Sequence, residues 1–169
     1  MSKYGWGSMS AINSFNASIE LQHIYLEVYS ERYCHLRTFL ESYYCYQHGL
    51  VTKQGKPDWV QIFNVGLRTV AATHIKERKL LVREMMVPLS VMMGHLKALV
   101  RDDEATIDNI QAVIDDYLEY VIMTREEYKA LTDAGLKEAM PASYYQPLHE
   151  DYRCMNARFD VAGITLLRL

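Results

Sequence analysis

Residues that break helices are scarce in this chain. Eight glycines and four prolines in 169 residues make about 7% where ~12% is usual. That scarcity argues against turn-dense sandwiches and barrels and favours long helices; the low glycine content also excludes collagen. Cysteine is scarce too. Cys34, Cys45 and Cys154 form no Cys-x-x-Cys pair. On one helix, eleven residues would set Cys34 ~16 Å from Cys45, too far for a disulfide. An odd number of unpaired thiols fits a reducing cytoplasm, the expected compartment. No run of 18 apolar residues occurs, so no membrane span is expected. The most apolar stretch, residues 85–100, is interrupted by Pro88, Gly94, His95 and Lys97. Residues 1–11 carry no apolar core behind Lys3 and read as a flexible lead-in rather than a signal peptide. Residues 12–169 are expected to form a single helical domain.

Half of the residues are hydrophobic and 23% are charged, enough apolar material for one core and too much for disorder. The net charge of -3 hides a segregation. Between residues 68 and 83, Arg68, Lys76, Arg78, Lys79 and Arg83 face only Glu77, whereas residues 102–119 hold seven acids and no lysine or arginine. The two segments are expected to meet each other or separate partners.

The strongest periodic signal lies at the start. With Ile12 as heptad position a, the a and d positions are Ile12, Phe15, Ile19, Gln22, Leu26, Tyr29, Tyr33, Leu36, Leu40 and Tyr43. All but Gln22 are apolar or aromatic, which predicts one helix of about 30 residues, ~45 Å long. Leu21, Ile24 and Val28 make a short stripe on another face. A helix apolar on two faces is central in a bundle or shared with a second subunit, and the second subunit is the expectation here. Gln22 at a d position would suit the setting of register.

After a loop over residues 49–57, Asp58 stands where an N-cap belongs. Trp59, Phe63, Leu67, Val70 and His74 trace a second helical face. Residues 80–100 have a helical pattern that Pro88 should kink or restart. Asp102 or Asp103 is the expected cap of a helix with the stripe Ile107, Ile110, Ile114, Tyr117 and Val121. Thr124 and Glu127 form a capping box, with Met123 and Tyr128 as its hydrophobic staple. That helix should end at Gly135, with Leu136 folding back on Leu131. Leu148, Tyr152, Met155 and Phe159 suggest one more short helix. The pattern as a whole predicts an all-α bundle of about five or six helices built on one long N-terminal helix, assembled as a homodimer.

Several groupings could carry chemistry. Glu20 and His23 match the Glu-x-x-His unit of carboxylate-bridged dimetal bundles, and Glu27 lies four residues further on. No second copy is present, so the preferred reading is a hydrophilic flank with an i, i+4 His–Glu pair. The spacing of Arg68 and His74 resembles the Arg-x(4–6)-His motif of the helical nuclease domains called HEPN. That resemblance implies an arginine on the scissile phosphate and a histidine moving protons. On a straight helix, however, the two would sit about 120° apart. Lys76, Arg78, Lys79 and Arg83 could grip phosphates, or form a solvated surface facing the acidic segment. The thirteen tyrosines, six of them between residues 25 and 46, suit half-buried seams and protein interfaces. No Gly-rich phosphate loop, nucleophile elbow, His-Glu-x-x-His or EF-hand loop occurs.

The chain is therefore expected to be a non-catalytic adaptor or regulatory protein that binds another macromolecule through helical surfaces, with no cofactor. The expected binding residues are Leu21, Ile24, Tyr25, Val28, Lys76, Arg78, Lys79 and Arg83. A protein partner is preferred, with nucleic acid as the second class; a helical ribonuclease using Arg68 and His74 is the catalytic alternative.

Overall fold

The heptad row does not produce one continuous helix. In the computed structural model, which describes residues 10–167, helix α1 (Ala11–Tyr29) ends after 19 residues and the chain doubles back into helix α2 (Leu36–Gln47). The turn contains neither glycine nor proline. Instead, Glu31 and Tyr33 adopt left-handed backbone conformations, with φ of 53° and 56°, each costing about 1–2 kcal/mol in a residue with a Cβ. Local hydrogen bonds offset that cost. Ser30 donates its hydroxyl to the Leu26 carbonyl, the Arg32 N–H reaches the Glu27 carbonyl, and the Glu27 carboxylate accepts the His35 N–H at 3.0 Å. What the turn gains is the closure of Leu21, Ile24 and Val28 of α1 and Leu36, Leu40 and Tyr43 of α2 into a shared interior.

The expected all-α bundle is also corrected. The protein is 55% helical, but its described residues carry a three-stranded mixed sheet beside seven α-helices. Strands β1 (Leu67–Arg68), β2 (Leu81–Met85) and β3 (Tyr120–Thr124) lie in the order β1-β3-β2. β3 is central, parallel to β1 with Val121 opposite Leu67, and antiparallel to β2 with Ile122 opposite Arg83. Tyr120-Val-Ile-Met is buried on both faces. Val121 and Met123 join the main core with Met86, Leu131, Leu136, Tyr144 and Phe159, whereas Ile122 joins Ala72 and Leu81 on the other side. A strand covered on both faces reads as a short continuous apolar run, which periodicity cannot tell from a buried helix.

The remaining elements sharpen or correct the expected boundaries. The second helical face dissolves into a 3-10 turn at Trp59–Gln61, helix α3 (Ile62–Val65), β1, and a further turn at Ala71–His74. The Asp58 carboxylate accepts from the Gln61 side chain rather than from a helix end. Pro88 restarts the chain as expected, immediately before helix α4 (Leu89–Arg101), but the residues before it are strand. Helix α5 (Ile107–Tyr117) is capped by Thr106, which accepts the Asn109 N–H, and not by either aspartate. The capping box opens helix α6 (Arg125–Asp133) as expected. At its end, Gly135 at φ 72° lets Leu136 N–H reach the Leu131 carbonyl and Gly135 N–H reach that of Thr132, a complete Schellman closure. Only Ala157–Val161 (helix α7) forms in the tail. After a turn at Ala162 and Gly163, Leu166 forms a bridge to Thr69.

The chain divides into two compact units, Met1–Ile62 with Leu96–Ala112, and Phe63–His95 with Val113–Leu169. The first is organised by the α1–α2 hairpin and the second by the sheet. Among the described residues, no helix is long and apolar enough to cross a membrane.

In the second unit, Arg158 of α7 is fully buried. Its guanidinium donates to the carbonyls of Met85, Met86, Leu136 and Lys137, and Glu84 lies 3.7 Å away. Burial draws its pKa down from the ordinary arginine value while Glu84 works the other way. The same unit is tied at β1 by buried Thr69, whose hydroxyl donates to Glu127 at 2.7 Å. That carboxylate also accepts the Thr124 N–H of the capping box.

Replacing Arg158 with Met should cost about 3–5 kcal/mol, because four carbonyls lose their donor in a dry interior. Arg158→Lys should recover only part of that loss. Urea unfolding at neutral pH measures both.

Candidate functional site

Helix α1 is apolar on opposite sides. Asn13, Ala17, Leu21, Ile24 and Val28 form a buried row. Ile12, Phe15, Ile19, Gln22, Leu26 and Tyr29 form the other row. At 100° per residue the two rows centre about 170° apart. The inner row has the smaller residues at its start, which lets the α1 and α2 backbones approach closely. The outer row keeps its bulk in solvent: Ile12, Phe15, Leu26 and Tyr29 are 69, 62, 60 and 63% exposed. Ile19 is half-buried and Gln22 exposed. These four form two pairs at the two ends of one helix face, joined through half-buried Ile19 and exposed Gln22, unlike the singly scattered exposed residues that need no explanation.

The heptad row read from the sequence is thus real in α1, but it faces outward. Leu21, Ile24 and Val28, expected as binding residues, are instead core. They make the stripe that a 19-residue helix needs to pack on its neighbour. Tyr25 lies at the edge of the exposed row, half-buried and stacked on Tyr29 with ring centroids 5.6 Å apart.

The face carries little charge. Glu20 and Glu27 are the only acidic residues of α1, which has no lysine or arginine, and both lie off the exposed row. The positions bordering the row are Asn16, His23, Ser18 and Tyr25. His23 Nδ1 sits 3.2 Å from Glu20, whereas Glu27 turns to the His35 N–H. Glu20, His23 and Glu27 therefore do not converge on a common point. Among the described residues, no group of three or more His, Cys, Asp or Glu is placed to hold a metal ion.

The other sequence-derived residues lie in the sheet unit. Arg68, on β1, spends its guanidinium on the carbonyls of Phe63 and Ala72. His74, itself exposed, ends the 3-10 turn that follows, whose Ala72 is buried. Arg78 lies over the Phe63 ring at 4.0 Å, and Lys79 pairs with Glu77 at 2.9 Å. Arg83 lies half-buried on β2 over the Tyr120 ring at 5.1 Å, and Lys76 is exposed.

Sequence reasoning missed one cavity, a groove of about 440 Å³ lined by Ser90, Val91, Gly94, His95, Glu138, Ala139 and Tyr145. The His95 ring stacks on Tyr117 at 4.6 Å. Burial, seconded by the Arg153 charge, holds the imidazole below its ordinary pKa. Ser90 donates its hydroxyl to the Glu138 carbonyl. A neutral ring, an engaged hydroxyl and a backbone wall offer shape and hydrogen bonds, but no nucleophile with its base. His95 sits one position from Gly94 in an apolar helix pattern, the only signal the sequence held of this groove.

Compared with known proteins, the chain matches no family model, no curated protein and no solved structure.

His48, whose ring lies tilted against that of Tyr44 at 4.0 Å, is likewise held below its ordinary value by burial. For both histidines the unfolded chain takes up the proton more readily than the folded one. Their contribution is therefore complete above the unfolded value of ~6.5 and is lost as pH falls toward the lower folded value. Stability should decline on acidification from pH 7 to pH 5, and His48→Gln or His95→Gln should flatten that decline in thermal melts across the range.

Proposed function

We propose that this protein is a non-catalytic cytoplasmic adaptor or regulatory protein, a homo-oligomer that engages its partner through the outer face of α1. The observation that carries the reading is the exposed row Ile12, Phe15, Leu26 and Tyr29 on a helix whose opposite row is already buried. A helix face with anchors at this spacing is the form in which amphipathic helices enter a groove or pair with another helix. Aromatic anchors add contact area at small entropic cost. A protein partner suits the face better than a nucleic acid, since the row and its borders hold no lysine or arginine to meet phosphates. That Cys34, Cys45 and Cys154 form no disulfide fits a reducing compartment.

The double substitution Phe15→Glu, Leu26→Glu puts two charges on the exposed row and none in the core. Its unfolding free energy should stay within ~0.5 kcal/mol of the parent, while partners recovered by affinity purification from cells are lost. Ile24→Glu, on the buried row, should instead unfold the hairpin. Retention of the same partners by the double variant would remove the α1 face from the reading.

A further inference from the structure

We infer that the occupant of the α1 outer face is a second copy of the same helix, packed antiparallel about a twofold axis between Ile19 and Gln22. This rests on the adaptor reading and names the partner of that face. The row is spaced 3-4-3-4-3, the repeat of a left-handed coiled-coil seam, and it spans nearly the whole of α1. Laid antiparallel on itself, it makes layers of Ile12 with Tyr29, Phe15 with Leu26, and Ile19 with Gln22. No layer sets two rings or two small residues together, so layer volumes are even along the seam. The two Gln22 side chains fall on either side of the twofold, ~4.5 Å apart along the helix direction, close enough to bond to each other and fix the register. A parallel pair would set Phe15 on Phe15 and Tyr29 on Tyr29, and would align the helix dipoles unfavourably.

Charge and area favour the same occupant. Two identical surfaces can meet only where like charges do not oppose. Here Asn16 comes opposite His23 of the second copy and Ser18 opposite Tyr25, with Glu20 and Glu27 outside the seam. The exposed area of Ile12, Phe15, Leu26 and Tyr29 is on the order of 500–600 Å² per protomer, so a dimer covering all of it buries about 1,000–1,200 Å², the size of a weak, exchanging interface. That size and the uncharged rim point to a micromolar dimer in exchange with its monomer.

Sedimentation of the full chain at ~50 µM, above the affinity such an interface supports, should give twice the 19.6 kDa chain mass. Phe15→Glu, Leu26→Glu should return it to the monomer mass with an unchanged circular dichroism spectrum. Orientation is read by disulfide trapping in a Cys34→Ser, Cys154→Ser background. A mixture of Ile12→Cys and Tyr29→Cys chains should yield a cross-linked heterodimer, and neither chain alone should cross-link to itself. Self-linking of each single variant would mean a parallel pair and overturn the proposal. A monomer at every concentration would overturn it too, and a dye for apolar surfaces then separates the cases. Dye binding abolished by Phe15→Glu, Leu26→Glu would leave the face open for a different protein and keep the adaptor reading. Absence of dye binding until residues 1–9 are deleted would assign the face to the chain's own leader, and both readings would fall.

Discussion

A guanidinium with no exposed surface must find an acceptor for each of its N–H directions, and Arg158 finds them in the main chain. Met85 and Met86 lie where β2 ends, and Leu136 and Lys137 lie just past the Schellman closure of α6. One side chain from the C-terminal part of the chain thereby fixes the exit of a strand and the exit of a helix. The interior of the sheet unit closes around this contact: its partners Met86 and Leu136, and Phe159 next to Arg158 in the chain, all belong to one buried cluster. A buried charge of this kind specifies geometry more than it adds net stability, because desolvation absorbs much of what its hydrogen bonds return.

Helix α1 shows how pattern and placement can part company. The spacing of Ile12, Phe15, Ile19, Leu26 and Tyr29 was legible as a seam, and so was the second stripe of Leu21, Ile24 and Val28. Which stripe is inside was not legible, because that depends on where the helix ends. The end is written in Ser-Glu-Arg-Tyr-Cys-His, residues with no strong turn preference, two of which take left-handed conformations. In α2 the same heptad positions, Leu36, Leu40 and Tyr43, do face inward. The heptad row therefore runs outward in one helix and inward in the next, an inversion that only the turn can produce.

Local rules succeeded where their physics is local. The Thr124–Glu127 box, the Gly135 closure and the restart at Pro88 each rest on hydrogen bonds or steric limits within a few residues. The sheet was illegible for the opposite reason. Leu67-Arg68 is too short to show any period, and Tyr120-Val-Ile-Met is apolar throughout because both of its faces are covered. The Ile107 to Val121 stripe counted straight through the α5 terminus at Tyr117, since Val121 falls in phase with the helix by chance. The groove beside His95 left almost no trace in the sequence, because its walls come from segments some fifty residues apart.

The strand order carries a consequence for how the protein forms. Both edges of the sheet, β1 and β2, precede its centre in the chain, and β3 is synthesised last. Until residues 120–124 emerge, neither edge has a ladder to join, and Leu81 and Met85 wait beside unpaired backbone. The α1–α2 hairpin, by contrast, closes over a six-residue turn as soon as α2 is complete. The two units thus differ in contact order, one quick and local, the other delayed until a single late segment inserts between two earlier ones. During that interval the two edges of the nascent sheet lack the strand that pairs them.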